Sequence, residues 1–122
     1  MKVLLADDDR DQLSLLCMLL ERSGFEAIPA ADDIAAAELA ATEKPDCAVV
    51  DVRLPTEERG LRLICELKRL DPAMHIIALT GGNPERLARQ TAANLLEGII
   101  VKGASSGPLI RKLKLLAARS CV

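Results

Sequence analysis

The strongest constraint on the fold of this chain is a set of short apolar runs that each end at a polar side chain. The run VLLA precedes Asp7, Asp8 and Asp9, CAVV precedes Asp51, HIIAL precedes Thr80, and GIIV precedes Lys102. Helical stretches separate these runs, a pattern typical of buried parallel strands. In open α/β sheets, functional groups gather where such strands end. The sequence therefore predicts carboxylates, a hydroxyl and an ammonium within one small region.

Hydrophobic periodicity and helix-start signals predict five strands alternating with five helices. The strands are expected at residues 2–7, 25–30, 46–51, 75–79 and 99–102. The helices are expected to begin at Asp9, at Asp32 or Asp33, after a polar loop ending at Gly60, at Asn83, and at Ser105. Gln12 can complete a capping box with Asp9, and Pro29 suits an edge strand. Short connections imply right-handed crossovers, hence an α/β fold with helices on both faces of a parallel sheet.

Length and composition favour one domain spanning residues 1–122, either free-standing or cut from something larger, with an aliphatic core. Phe25 is the only aromatic residue, so base stacking on an aromatic platform is unavailable. A formal charge of −2 gives no electrostatic attraction to nucleic acid or membrane. The four cysteines lack metal-ligand spacing, and no apolar run is long enough to span a membrane. We therefore expect a cytoplasmic protein that does not bind nucleic acid or membrane directly.

The predicted cluster of carboxylates is suited to a divalent cation. Mg²⁺ prefers one or two carboxylates together with waters and phosphate oxygens. Asp8 and Asp51 can bind directly, Asp7 through water, and a backbone carbonyl from the loop after Asp51 can supply a further ligand. A carboxylate oxygen can also carry a phosphoryl group. Lys102 and Thr80 would then supply a cation and a hydroxyl donor to the phosphoryl oxygens.

The segments LLADDD, VVDVRLP, ALTGG and IIVKG, in this order, resemble the receiver domain of two-component response regulators. The resemblance covers essentially the whole chain. It implies a flavodoxin-like (βα)5 fold with strand order 2-1-3-4-5. It also implies that Asp51 accepts a phosphoryl group from a phosphohistidine on a sensor histidine kinase or a histidine phosphotransfer protein. Mg²⁺ would be required, with Mn²⁺ as an alternative.

The same resemblance implies roles for individual residues. Asp7 and Asp8 would form the acidic pair, the Arg53 backbone carbonyl would bind the metal, Thr80 would follow the phosphoryl oxygens, and Lys102 would pair with the phosphoryl group. The Arg53 side chain and Gly82 are candidate modulators. The fourth helix, fifth strand and fifth helix would contact an output domain or partner protein. The last two helices could also support a homodimer, although packing on the sheet already explains their apolar faces.

Three features depart from the family pattern. Ile99 stands where receivers usually carry an aromatic residue that follows the threonine, so coupling between phosphorylation and surface change could be weaker. Gly103 follows the lysine where a proline joined by a cis bond is usual. The stretch from Pro55 to Gly60 carries one extra residue, which we expect to lie in a loop beside the site.

Two other functions compete with a phosphorylated receiver that is not a turnover enzyme. A phosphatase of the haloacid dehalogenase type also combines a strand-end aspartate, a Thr-Gly step and a lysine. That chemistry needs a second acid two residues after the nucleophile, where this chain has Arg53. The other alternative is a degenerate receiver that binds partners without phosphorylation, which the three departures would favour. Flavin binding is disfavoured because three aspartates after the first strand would repel a phosphate.

Overall fold

The computed structural model describes residues 1–82, 84–89, 94–102 and 106–120. Its elements follow one another as β1 Lys2–Ala6, α1 Arg10–Arg22, β2 Glu26–Ala30, α2 Asp33–Glu43, β3 Cys47–Asp51, α3 Glu57–Leu70, β4 His75–Thr80, α4 Pro84–Ala88, β5 Gly98–Val101 and α5 Gly107–Ser120. The expected starts at Asn83 and Ser105, and the departure at Gly103, lie outside the described residues.

All five strands pair in parallel in the order β2-β1-β3-β4-β5. The predicted α/β fold, with its flavodoxin-like strand order 2-1-3-4-5, is therefore confirmed. Strand β2 lies at one edge of the sheet, and its Pro29 pairs in register with Leu5 of β1. Proline lacks a backbone N–H and suits an edge strand, so the prediction for Pro29 is also correct.

Alternate residues of the central strands pack into two separate cores. Leu4, Val50 and Ile76 belong to the core that includes α2 and α3, whereas Val49 and Ile77 belong to the core that includes α1 and α5. Each residue of β3 is buried, which explains why this strand reads as a continuous apolar run that ends at an acid. Helices therefore cover both faces of the sheet, as predicted.

The start of α1 differs from the predicted capping box. The Asp9 side chain accepts the backbone N–H groups of Asp11 and Gln12, at 3.1 and 3.2 Å. In a capping box the side chain of Gln12 would accept the Asp9 N–H. That N–H instead donates to Oδ1 of Asp7 at 3.0 Å. The helix cap is thus connected to the cluster of acids at the strand ends.

The start of α3 requires a larger correction. The expected loop from Thr56 to Arg59 is the N-cap and first turn of the helix, which begins at Glu57. The Thr56 side chain accepts the Arg59 N–H at 3.2 Å, and two acids occupy the first turn, where the helix dipole favours them. The extra residue between Pro55 and Gly60 is therefore absorbed into the helix, and Gly60 is a helical residue.

Within the described part of the chain, no helix combines the length and the apolar character needed to cross a membrane.

Candidate functional site

The carboxyl ends of four strands converge as the sequence predicts. Asp7 directly follows β1, Asp51 and Thr80 are the last residues of β3 and β4, and Lys102 directly follows β5. Backbone hydrogen bonds continue past the strand ends, since the Lys102 N–H donates to the Thr80 carbonyl at 2.7 Å. The Asp7 N–H likewise donates to the Ala30 carbonyl at 3.1 Å. The backbone therefore fixes where these side chains emerge.

Three of the predicted acids form one cluster. Asp7, Asp8 and Asp51 each offer a carboxylate oxygen within 4.8 Å of the other two. Asp7 and Asp51 are only 1% and 6% exposed, whereas Asp8 is exposed. The cluster is therefore buried on the side of the sheet and open to solvent on the side of Asp8.

Lys102 connects the two buried acids. Its Nζ donates to Oδ2 of Asp7 at 3.0 Å and to Oδ2 of Asp51 at 2.9 Å. Burial alone would lower the pKa of this ammonium group, but its hydrogen bonds to Asp51 and Asp7 and their negative charges outweigh this effect, so the pKa is raised. Lys102 is therefore a charged partner of both carboxylates.

The other oxygen of each buried acid is held by the backbone. Oδ1 of Asp7 accepts the Asp9 N–H at 3.0 Å, and Oδ1 of Asp51 accepts the Arg53 N–H at 3.1 Å. Neither contact was predicted from the sequence. A carboxylate that accepts the N–H two residues ahead is a common local pattern for aspartate, so the signal was present in the positions of the aspartates relative to the strand ends.

The remaining predicted residues surround this cluster at different depths. Thr80 is 5% exposed, and its Oγ1 accepts the Gly82 N–H at 3.1 Å. The Arg53 side chain is exposed. Ile99 is half-buried and packs against the core that includes α2 and α3. Arg53 thus contacts Asp51 through its backbone N–H, and Ile99 fills a core position.

The donor set at the cluster fits a hard dication. It consists of carboxylate oxygens, which Mg²⁺ prefers. The single ammonium of Lys102 leaves the three carboxylates with an excess of two formal negative charges. Such an excess is expected where a divalent cation binds.

The fold and this arrangement of acids, hydroxyl and lysine are typical of signalling domains that carry a phosphoryl group. The family to which the sequence is matched is of this class. The family model described as the response regulator receiver domain matches residues 3–114. The chain therefore belongs to the receiver domain family of two-component response regulators.

Curated relatives are response regulators of greater length. The chain is 38% identical over 84 residues to the alkaline phosphatase synthesis transcriptional regulatory protein PhoP of Bacillus subtilis, an alignment covering 69% of this chain and 35% of PhoP. It is 30% identical over 118 residues to a putative transcriptional regulator of Pseudomonas aeruginosa, covering 96% of this chain and 56% of that protein. The chain thus spans between about a third and about half the length of these relatives.

Solved structures agree with the fold. A receiver domain protein from Clostridium thermocellum superposes with a TM-score of 0.86 at 22% identity, covering 98% of this chain and 95% of that one. TrrA from Thermotoga maritima, solved in complex with Mg(2+)-BeF, gives a TM-score of 0.83 at 23% identity, covering 94% and 97%. At these identities the likeness supports the fold alone.

Proposed function

We propose that Asp51 is the phosphoacceptor of this receiver domain and takes its phosphoryl group from a phosphohistidine on a sensor histidine kinase or a histidine phosphotransfer protein. The observation that carries the proposal is the environment of the Asp51 carboxylate. It is almost fully buried, lies within a cluster of acids, and has Lys102 on one oxygen and the Arg53 N–H on the other. Asp7 is held in a similar way, by Lys102 and the Asp9 N–H, but it follows β1, whereas Asp51 ends β3, the middle strand of the sheet. Asp8 is exposed.

The transfer step uses groups that are already in place. A carboxylate oxygen of Asp51 forms a bond to phosphorus while the phosphorus–nitrogen bond to the donor imidazole breaks, and the nitrogen leaves with the electron pair. Lys102 supplies positive charge beside the oxygens that gain negative charge. Thr80 is buried at the neighbouring strand end and offers a hydroxyl to a phosphoryl oxygen.

Within this proposal Asp8 and Asp51 bind Mg²⁺ directly, Asp7 binds through water, and the Arg53 backbone carbonyl completes the protein ligands. Mn²⁺ would fit the same oxygen donors. When bound, the cation supplies the charge that the Lys102 ammonium alone does not balance.

The proposal treats residues 1–122 as one receiver domain that turns over no substrate of its own. Its output surface would comprise α4, β5 and α5, where Val101 and Leu115 are 42% and 62% exposed, and a homodimer could use the same surface. Family membership supports a kinase partner and a cytoplasmic location. It also removes the support for a haloacid dehalogenase-type phosphatase.

The test is incubation of the protein with acetyl phosphate and Mg²⁺, followed by intact mass measurement. We expect a gain of one phosphoryl group that is absent in Asp51→Asn. Asp11→Asn is the matched control, because Asp11 is an exposed acid in the first turn of α1. It should be phosphorylated like the parent.

A parent protein that gains no phosphoryl group, and whose melting temperature is unchanged by millimolar Mg²⁺, would support the degenerate receiver instead. Phosphorylation of Asp51→Asn at the rate of the parent would place the acceptor elsewhere.

A further inference from the structure

Gly60, in the first turn of α3, lies directly against the backbone beside Asp51. A Cβ built on Gly60 would be 1.9 Å from the Val52 carbonyl oxygen and 2.6 Å from the carbonyl carbon. Both distances are far below van der Waals contact, and the opposing atoms are backbone atoms rather than the end of a flexible side chain. Only a hydrogen fits in this space. Glycine is therefore required here because the backbone of α3 approaches the Val52 carbonyl closely, and not because residue 60 adopts an unusual backbone angle.

The Val52 carbonyl that faces Gly60 shares a peptide group with the Arg53 N–H. A peptide group is planar, and in its trans form the C=O and N–H point in opposite directions. On one side this plane packs against Gly60, and on the other its N–H donates to Oδ1 of Asp51 at 3.1 Å. Any tilt that moves the carbonyl oxygen away from residue 60 also turns the N–H away from the Asp51 carboxylate.

The first turn of α3 is anchored, so it cannot simply move aside. Leu63 and Ile64, in the next turn of α3, are 2% and 0% exposed and hold the helix on the core. The Arg59 guanidinium makes a bidentate contact with the Asp33 carboxylate of α2, at 2.9 Å from Nε and 2.7 Å from Nη2. Bidentate pairs of this kind fix geometry as well as adding energy. A methyl group at residue 60 would therefore displace the Val52–Arg53 peptide rather than the helix.

We propose that Gly60 is a positioning residue for Asp51, which acts by holding the Val52–Arg53 peptide in the orientation that fixes the Asp51 carboxylate. This inference rests on the proposed role of Asp51 as phosphoacceptor. It assigns a role in the transfer step to a helical glycine that touches neither the phosphoryl group nor the metal ligands.

The test is the rate of phosphorylation of Gly60→Ala by acetyl phosphate at saturating Mg²⁺, followed by intact mass and corrected for the folded fraction. Misplacement of a reacting group by about 1 Å can cost about 100-fold in rate, so we expect a loss of about tenfold or more. The matched control is Gly98→Ala at the start of β5, where the added Cβ meets only Cε of Lys112 at 3.4 Å. This control should react within about twofold of the parent.

A merely structural role for Gly60 would give a different result. If Gly60 served only to pack α3, Gly60→Ala would be less stable than the parent, but its folded fraction would be phosphorylated at the rate of the parent. If the turn could adapt, the variant would be at least as stable and as reactive as the parent, because alanine is a better helix former than glycine by about 1 kcal/mol. Folded Gly60→Ala that is phosphorylated within about twofold of the parent overturns the proposal.

A second measurement on the parent protein keeps the inference testable if Gly60→Ala does not fold or the parent is not phosphorylated. The backbone ¹⁵N order parameter of Arg53 should equal that of rigid strands, about 0.85, without Mg²⁺ or phosphodonor. A value below about 0.6 would show that the peptide is not held and would overturn the proposal. Failure of phosphorylation in the parent, with a rigid Arg53 amide, would contradict the proposed function alone.

Discussion

Replacement of Lys102 by methionine should reveal how much the Lys102 ammonium stabilises the two buried carboxylates when no metal is bound. The ammonium contacts both buried carboxylates, at 3.0 Å from Asp7 and 2.9 Å from Asp51. Methionine has a similar length but no charge, so Lys102→Met leaves two nearly buried acids facing each other without a cation between them. We expect the metal-free variant to be clearly less stable than the parent.

The expected loss in the free energy of unfolding follows from the burial and geometry of the ion pairs. Removing one partner of a buried ion pair typically costs about 3–5 kcal/mol, because the remaining charge is left unpaired. The Lys102 side chain is 24% exposed, so water can partly replace it and the lower end of that range applies. We therefore expect a loss of about 3 kcal/mol, which for a domain of this size lowers the melting temperature by about 10 °C.

The assay is thermal and urea unfolding of the parent and Lys102→Met, each with and without Mg²⁺. Mg²⁺ should raise the melting temperature of the variant more than that of the parent, because in the parent the ammonium competes for the same carboxylate oxygens. Lys114→Met is the control for loss of a charge, since Lys114 is exposed on α5. Its stability should change by no more than about 0.5 kcal/mol.

The pH dependence gives an independent check on the same lysine. The folded-state pKa of Lys102 is raised above its ordinary value of 10.5. Its stabilising contribution is therefore complete below pH 10.5 and is lost as the pH rises through the higher folded value. The stability difference between the parent and Lys102→Met should shrink in that alkaline window. A variant as stable as the parent at pH 7 without Mg²⁺ would refute the reasoning.

Three further expectations concern groups outside the site. The pKa of Glu97 is lowered from its ordinary value of 4.5, chiefly by its hydrogen bond with His75. The stabilisation that Glu97 gives is therefore full above its unfolded pKa and lost as the pH falls through the lower folded pKa. Glu97→Gln should reduce the loss of stability that urea melts show as the pH falls below 4.5. Burial raises the pKa of the Cys47 thiol to about 12, so iodoacetamide at pH 8 should spare it in peptide maps while alkylating the exposed Cys65. Lys44 has a φ of 51°, and Lys44→Gly should stabilise the protein to urea by about 0.5–1 kcal/mol.

The fold and the main members of the site could be predicted because each follows from a local pattern with a strong physical cause. Buried parallel strands need apolar side chains on both faces, so β1, β3 and β4 stand out in the sequence, and so do the polar residues where they end. Asp51, Thr80 and Lys102 were identified in this way. The ion pairs that join Lys102 to two carboxylates follow from the order of strands and not from any single segment.

The start of α3 could not be predicted because two local signals compete there. Gly60 reads as a helix breaker, and the polar residues before it read as a loop. Thr56 is an equally good N-cap with acids in the turn that follows, and the structure uses it. In the structure the helical Gly60 lies close against the Val52 carbonyl, which joins α3 to the end of β3. No property of the sequence near Gly60 reports that distance.

The two oxygens of Asp51 are held by groups of different kinds, and the difference bears on how the site works. Oδ1 accepts a backbone N–H whose peptide plane is fixed by packing against α3. Oδ2 accepts a hydrogen bond from the Lys102 ammonium, which sits on a flexible four-carbon chain and belongs to a partly exposed side chain. A ligand that competes for Oδ2 can displace Lys102 by rotation of that side chain, whereas a change at Oδ1 requires movement of the backbone. The carboxylate thus has one fixed oxygen and one whose partner can exchange, which lets the acceptor stay in place while the charges around it change.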